Sequence, residues 1–395
     1  MSIRVDPSFI DEIKHYGAFD ISACFNCGTC TAICPLSEGT TSFPRKLIRY
    51  AQIGSRELVI SNRELWLCYY CGECSDTCPR EAEPGEFMAS ARRYAIASFD
   101  PSGISRLLYR SRLFTAVFMT FLSVLFALIM LSKADKMNFE RPAFFKTEYL
   151  EGFIPFKVVH DTGLAVIIIA AVSMIVGVWR MWRKLSGRKS KKLETSELPK
   201  SGKVTWNRIR RAFNYVVSEI AAEKRYRDCE EDKKAPWFVS RWFVHWSIMW
   251  GFIGLGTATV IDYILLLTVG KDPGQAVPLW NPPRLLGTLA GIFLMYGTSL
   301  ALYWRFRKKD KYHSHSLLSD WLFLWLMFLA GLTGFLLEIA IYLPSGTLWG
   351  YIVFLIHVVI GMEIVILLPF TKFAHAVYRP IALFFNALSE VPVEP

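Results

Sequence analysis

Six apolar stretches, each about 19 residues or longer, fill most of the chain beyond residue 110 and leave it few possible folds. Leu113–Leu131 and Leu285–Trp304 carry no charge. Val158–Trp179 carries His160 and Asp161 near its start, and Trp242–Val269 carries His245 and Asp262. Trp321–Leu343 carries Glu338, and Trp349–Phe370 carries Glu363. At about 1.5 Å per residue each helix would cross a hydrocarbon core of about 30 Å. Backbone in lipid must satisfy its own hydrogen bonds, so the six stretches predict six transmembrane helices. Tryptophans at their ends (Trp179, Trp182, Trp242, Trp280, Trp304, Trp321, Trp349) fit interfacial belts.

The first 110 residues are different in kind. They are polar and hold eight of the nine cysteines. The N-terminal MSIRVDPSFIDEIKHYG lacks an apolar signal core, so the head is expected in the cytoplasm. Clustered cysteines there read as metal ligands rather than disulfides. Cys24, Cys27, Cys30, Cys34 and Pro35 spell C-x2-C-x2-C-x3-C-P, and Cys68, Cys71, Cys74, Cys78 and Pro79 repeat it 44 residues later. This is the bacterial pattern for [4Fe–4S] clusters, in which the fourth cysteine serves the other cluster. The expected ligand sets are Cys24, Cys27, Cys30 and Cys78 for cluster 1, and Cys68, Cys71, Cys74 and Cys34 for cluster 2. Structural zinc uses C-x2-C pairs without the trailing cysteine and proline, which disfavours it. Cys229, alone in a charged segment, reads as an ordinary thiol.

Pro44 before Arg45–Ile53 and Gly54 after it are helix punctuation. Leu47, Ile48 and Ala51, like Phe87, Ala91 and Tyr94, recur at helical spacing. With no alternating strands, the head reads as an all-α two-cluster ferredoxin, with a further short helix after Asp6-Pro7.

Orientation follows from basic loops. Segment 183–236 holds sixteen Lys and Arg, and Arg305, Arg307, Lys308, Lys309 and Lys311 crowd a second loop. Segments 270–283 and 344–348 hold one such residue between them. Both termini and the two basic loops are therefore expected on the cytoplasmic side. The net charge of +11 is this asymmetry plus contact with anionic lipid, and nothing supports nucleic-acid binding. Trp206, Ile209, Phe213 and Val217 mark an amphipathic helix inside the first basic loop.

Ionisable groups within spans are costly and functional by default. His357 and His375 are 18 residues apart, five whole turns, and share a face if one helix runs on past Pro369. Span direction puts His160 at the outer depth and His245 at the inner depth. The expected haem b pairs are His245 with His375 and His160 with His357, with a five-coordinate haem on His357 as a variant. Covalent haem is excluded because C-x-x-C-H is absent. Glu363 is a candidate proton carrier to a quinone, weighed against a carboxyl satisfied within the bundle; the same choice applies to Glu338. His15, His313 and His315 read as solvated.

These residues carry a resemblance. "CFNCGTCTAICP" and "CYYCGECSDTCP" resemble the C-subunit type of heterodisulfide reductases, and the histidine-bearing body resembles the nitrate reductase gamma-subunit type of di-haem cytochrome b. Their fusion is similar to the C-subunit family of the quinone-interacting membrane-bound oxidoreductase (Qmo) complexes. In the gamma-subunit type two ligands share an early helix about 13 residues apart; here that position is Ala258, so His160 must substitute or the outer haem differs. The resemblance implies menaquinone or menaquinol as substrate and flavin-bearing cytoplasmic partners of the heterodisulfide reductase A-subunit kind. It also implies adenylylsulfate reductase as an indirect electron partner.

The expected architecture is all-α: a two-cluster ferredoxin (1–110), two transmembrane helices (111–182), a basic loop (183–236), a four-helix cytochrome b part (237–378) and a cytoplasmic tail (379–395). No dinucleotide fingerprint is visible, since "GFIGLG" lies in an apolar span. The expected function is a membrane subunit passing electrons between quinone and cytoplasmic partners. The alternatives are a subunit of a heterodisulfide reductase-like or sulfite-reduction complex, or an anchor with structural or sensory clusters.

Overall fold

The computed structural model describes residues 5–37, 42–140, 143–146, 152–186, 205–228, 236–270, 276–308 and 316–389. Cys229, His313, His315, Lys309 and Lys311 lie outside the described residues, as does segment 187–204 within the first basic loop.

The head is a cluster of short helices around one long one. They are α1 (Phe9–Lys14), α2 (Thr29–Ile33), α3 (Arg45–Gln52), α4 (Arg56–Ile60), α5 (Glu64–Leu67), α6 (Glu73–Asp76), α7 (Pro84–Phe99) and α8 (Ile104–Arg110). Proline starts α7, where its missing N–H costs nothing. Helix α7 buries Phe87, Met88, Ala91, Tyr94 and Ala95, which meet Leu47, Ile48 and Ala51 of α3 and Phe9 and Ile13 of α1 in one apolar core. The left-handed turn at Gly54 (φ 73°) lets the backbone of Asp6 come close enough to exchange a 2.9 Å hydrogen bond. A Cβ there would stand 2.2 Å from the Asp6 carbonyl oxygen.

Six helices are long and apolar enough to cross a membrane: α9 (Arg112–Leu131), α10 (Phe156–Ser186), then α13 (Arg241–Val269), α14 (Pro282–Arg307), α15 (Leu318–Tyr342) and α16 (Leu348–Leu367). Between them come α11 (Trp206–Ala222) and α12 (Lys224–Asp228), and α17 (His375–Ser389) closes the described chain. Ser111, Ser240 and Thr347 cap α9, α13 and α16 by accepting first-turn N–H groups. The sole strands among the described residues are the two-residue β1 (Phe145–Lys146) and β2 (Ile154–Pro155), a parallel pair before α10.

Helices α13 and α14 approach closely through small residues. A Cβ on Gly251 would stand 2.6 Å from the Leu294 nitrogen, and one on Gly297 would stand 2.9 Å from the Val244 carbonyl. Such stripes are how helices pack without a hydrophobic driving force. The head's core continues into Met174, Met181 and Leu185 of α10 and Tyr378 and Ala382 of α17. Helix α10 runs seven residues past Trp179 and supplies that platform.

One expectation fails here. His357 and His375 do not share a helix, because α16 ends at Leu367. Pro369 offers no N–H, and its ring disfavours continuing the helix. The chain turns, extends at Thr371, forms a 3-10 turn at Lys372–Ala374 and starts α17 at His375. The five-turn alignment therefore does not apply. The amphipathic helix exists as α11, but it buries Ala212, Val216 and Glu219. Trp206, Phe213 and Val217 form its exposed side.

Candidate redox centres

The two cysteine loops repeat in conformation as well as in sequence. Asn26 (φ 64°) and Gly28 (φ 95°) in the first match Tyr70 (φ 62°) and Gly72 (φ 96°) in the second, again 44 residues apart. Two left-handed residues per loop curl three thiols around the start of a short helix, α2 or α6. The fourth cysteine of each loop, Cys34 or Cys78, follows that helix. Tyr70 N donates to Cys68 Sγ at 3.3 Å, and Ala82 N to Cys78 Sγ at 3.4 Å.

The thiols crowd in the order the motif demands. Burial pushes Cys24 and Cys30 up, and Cys78 adds to both by charge. Burial also pushes Cys34 up to about 12, with Cys68 and Cys71 adding to it. Cys34 in turn adds to Cys74, which burial pushes well above the usual thiol range. The Thr29 hydroxyl lowers the exposed Cys27, whereas bare thiolates are disfavoured at Cys24, Cys30, Cys34 and Cys74. Bound cations reverse that, because a coordinating thiol is deprotonated outright. Among the described residues no three His, Cys, Asp or Glu side chains converge on a point fit for one ion. A cubane asks something else, one thiolate on each of four irons, and these nests fit it.

Two arginines hold the second loop, one from the head and one from a membrane-length helix. Arg92 of α7 donates to the Cys68 carbonyl at 3.1 Å, and Arg241 of α13 donates to the Cys71 carbonyl at 2.6 Å. Arg241 stands one turn before His245.

His245 and His375 face each other, with ring centroids 6.4 Å apart and planes at 56°. Imidazoles holding one iron from opposite sides stand roughly 6 Å apart between centroids, given metal–nitrogen bonds of about 2 Å. His375 Nδ1 donates to the Lys372 carbonyl at 2.5 Å. Glu223 Oε1 lies 2.8 Å from His245 Nδ1, at ion-pair distance but without hydrogen-bond alignment. Nε2 on both rings has no partner among the described residues. Outer partners of this kind fix ring and tautomer for a metal ligand. Burial pushes His375 down to about 3, against the Lys372 carbonyl, and keeps it in the neutral form that ligates. The pair fits an axially held haem.

Glu223 is held for this task. It ends α11 in the left-handed region (φ 47°) and is itself buried. The indoles of Trp242, Trp246 and Trp250 donate to the carbonyls of Ala222, Ala221 and Ala221 at 2.9, 3.0 and 3.2 Å. They satisfy carbonyls that a helix end leaves open and pin α11 beside His245.

The outer histidines are not brought together. His160 Nε2 lies 3.0 Å from the Tyr263 hydroxyl, and its Nδ1 lies 3.0 Å from Asp161. His357 Nδ1 is 2.8 Å from Thr333 Oγ1, whose own proton goes to the Leu329 carbonyl at 2.7 Å. His357 therefore also keeps Nε2 open. Glu363 is buried and bonded to Ser123 at 2.5 Å, while Glu338 pairs with Arg284 at 2.5 Å. His15 lies on the head surface.

Three participants escaped the sequence reading: Arg92, Glu223 and Arg241. Arg241 had a visible signal: it precedes His245 by four residues and so shares its helix face. Trp242, Trp246 and Trp250 recur every fourth residue, which marks a face rather than a belt. Glu223 had none, since its contact spans a helix end.

An all-α head with two cubane nests, seated on six helices of membrane-spanning length, defines an iron–sulfur electron-transfer protein of the membrane. The chain belongs to the citrate utilization protein B family, whose model matches residues 113–393. The 4Fe-4S dicluster domain model matches residues 20–82. The chain is 38% identical over 64 residues to the C subunit of the H(2):CoB-CoM heterodisulfide,ferredoxin reductase of Methanothermobacter thermautotrophicus, over 16% of this chain and 35% of that protein. It is 27% identical over 217 residues to citrate utilization protein B of Escherichia coli, over 54% of this chain and 52% of that protein. It is 36% identical over 110 residues to a protein of Archaeoglobus profundus described as like the heterodisulfide reductase C subunit, over 26% of this chain and 58% of that protein. The chain thus spans about a third to just over half the length of these relatives. No solved structure matches it. The head keeps the C-subunit likeness read from its motifs; the body matches the citrate utilization protein B model.

Proposed function

We propose that the chain passes electrons between the membrane quinone pool, as menaquinone or menaquinol, and cytoplasmic partner subunits. The route runs through haem b held by His245 and His375, cluster 2 (Cys68, Cys71, Cys74, Cys34) and cluster 1 (Cys24, Cys27, Cys30, Cys78). The observation that carries this reading is the pair of arginine contacts to the Cys68 and Cys71 carbonyls. Through Arg92 and Arg241 the second cysteine loop sits against the histidine pair.

When bound, haems and clusters exchange single electrons, which a quinone accepts or gives in two steps. The chain's residues do the rest. Glu223 and the Lys372 carbonyl orient the two imidazoles. His357, oriented by Thr333, is the ligand offered for a second haem, whereas His160 is bonded to Tyr263 and Asp161. Glu363, bonded to Ser123, is the candidate to hold a quinone's proton within the bundle. The fusion pattern supports a C subunit of the Qmo type with flavin-bearing partners of the heterodisulfide reductase A-subunit kind, acting toward adenylylsulfate reductase. In this reading both termini face the cytoplasm. The heterodisulfide reductase relatives favour one alternative, a membrane subunit of a heterodisulfide reductase-like complex.

Anaerobically purified protein should show haem b bands in a dithionite-minus-oxidised spectrum, and a menaquinone analogue should re-oxidise haem and clusters within the mixing time. A spectrum with cluster absorption alone, or reduced centres indifferent to quinone, overturns the reading.

A further inference from the structure

Arg379 is a half-buried cation with one idle hydrogen-bonding edge. Its Nε and Nη2 are shielded from solvent and meet no acceptor among the described residues. The Tyr69 ring covers its guanidinium at 3.6 Å, while the Tyr69 hydroxyl donates to Glu219. A second cation, Arg92, repels it. A guanidinium with shielded, open donors and a like charge nearby is expensive unless an anion meets it. Arg92 differs, because it has the Cys68 carbonyl.

Two anions are near enough to consider. Cluster 2 is one, since Arg379 acts electrostatically on Cys68. Yet Arg379 does not line the cavity bounded by Cys34, Cys68, Cys71 and Cys74. It lies behind Tyr69, on α17, one turn after His375 and on the same face. A haem held by His245 and His375 carries two carboxylates on one edge. A planar fork of N–H donors suits a carboxylate better than any other side chain.

We propose that Arg379 binds a carboxylate of that haem and sets its potential. This rests on the haem of the preceding section. The guanidinium then lies between haem and cluster 2, with Tyr69 holding its plane. Reduction adds negative charge to the haem, so an adjacent cation favours the reduced form.

The test uses the full chain in detergent and compares wild type, Arg379→Gln and Arg379→Lys. Haem per protein, the haem midpoint potential and the cluster EPR signals are measured together. Arg379→Gln should keep both cluster signals, lose haem on gel filtration and shift the remaining haem to lower potential. Arg379→Lys should restore the potential toward wild type. Unchanged haem content and potential in Arg379→Gln overturn the proposal, as does a shift confined to the cluster 2 signal. If Arg379→Gln loses its clusters, Arg379→Lys decides: a potential well below wild type counts against the proposal. Wild-type protein without haem defeats the preceding reading and this one with it, whereas haem indifferent to Arg379→Gln defeats this one alone.

Discussion

Replacing Glu86 with glutamine removes a buried charge and keeps the shape. Glu86 lies on α7 and is 2% exposed, with Oε2 meeting no acceptor or donor. Burial raises its carboxyl from 4.5 to about 7; Arg93 opposes this, Asp320 adds to it, and Lys372 and Arg305 oppose it. The folded value exceeds the unfolded one, so the folded protein binds the extra proton. Stability is fully present below about pH 4.5 and is lost as pH rises toward about 7. Each pH unit in that window is worth about 1.4 kcal/mol, so the ionised carboxylate costs about 3 kcal/mol above it. Glu86→Gln should therefore be about 2 kcal/mol more stable than wild type at pH 6 and about 3 kcal/mol more stable at pH 8. Unfolding is best followed by bleaching of cluster absorbance with temperature, in paired samples from pH 6 to 8.5. The gap between the two melting curves should widen from pH 6 to 7 and then stay level. A gap that is constant across the range, or that reverses sign, refutes the reasoning.

Other expectations concern the ligands, the joint and the topology. Cys78→Ala should abolish the EPR signal of the cluster held by Cys24, Cys27 and Cys30; damage confined to the Cys68 set counts against crossed ligation. His245→Ala and His375→Ala should remove the same haem, and His357→Ala a different one. If the first two abolish different haems, the inner pairing is wrong. Asp320→Asn leaves the buried Arg93 without its acid and should cost roughly 3–5 kcal/mol, read as earlier cluster bleaching; an unmoved transition contradicts the ion group's role. A periplasmic reporter should be active within 270–283 and inactive after residue 395, and the reverse result inverts the proposed topology.

The helical class, the six spans and the dicluster head were legible because their signals are local. A 44-residue repeat and runs of apolar residues need no knowledge of distant contacts. The same holds for Pro44 and Gly54 around α3. What was not legible depends on how elements meet. Eighteen residues between His357 and His375 look like five turns only if Pro369 is ignored, and Pro369 sits where the helix stops. The apolar side of α11 was visible, yet its small residue Ala212 packs inward while Trp206 faces out. Its partners, Leu67 and Leu383, lie far away in sequence. Arg93 and Asp320 are separated by 227 positions, and their 2.9 Å pairing has no sequence signature at all.

That pairing bears on how the centres are held. Arg93 donates to the Tyr16 carbonyl within the head and to Asp320 at the start of α15, both at 2.9 Å. Lys372 donates to the other Asp320 oxygen at 2.9 Å. Burial pushes Lys372 down while Asp320 holds it up, so its cation survives by that contact. The same residue's carbonyl receives the His375 Nδ1 proton. Lys372 is thus used twice, once to seat the head on the bundle and once to aim an imidazole. Docking of the head and orientation of His375 therefore meet at one residue. A head displaced by a few ångströms would leave Asp320 without Arg93. It would also carry the Cys68 carbonyl away with Arg92. Separating the two centres therefore requires breaking the buried Arg93–Asp320 ion pair, which is costly to break from one side. The distance between cluster 2 and the histidine pair is fixed by charge as well as by apolar packing.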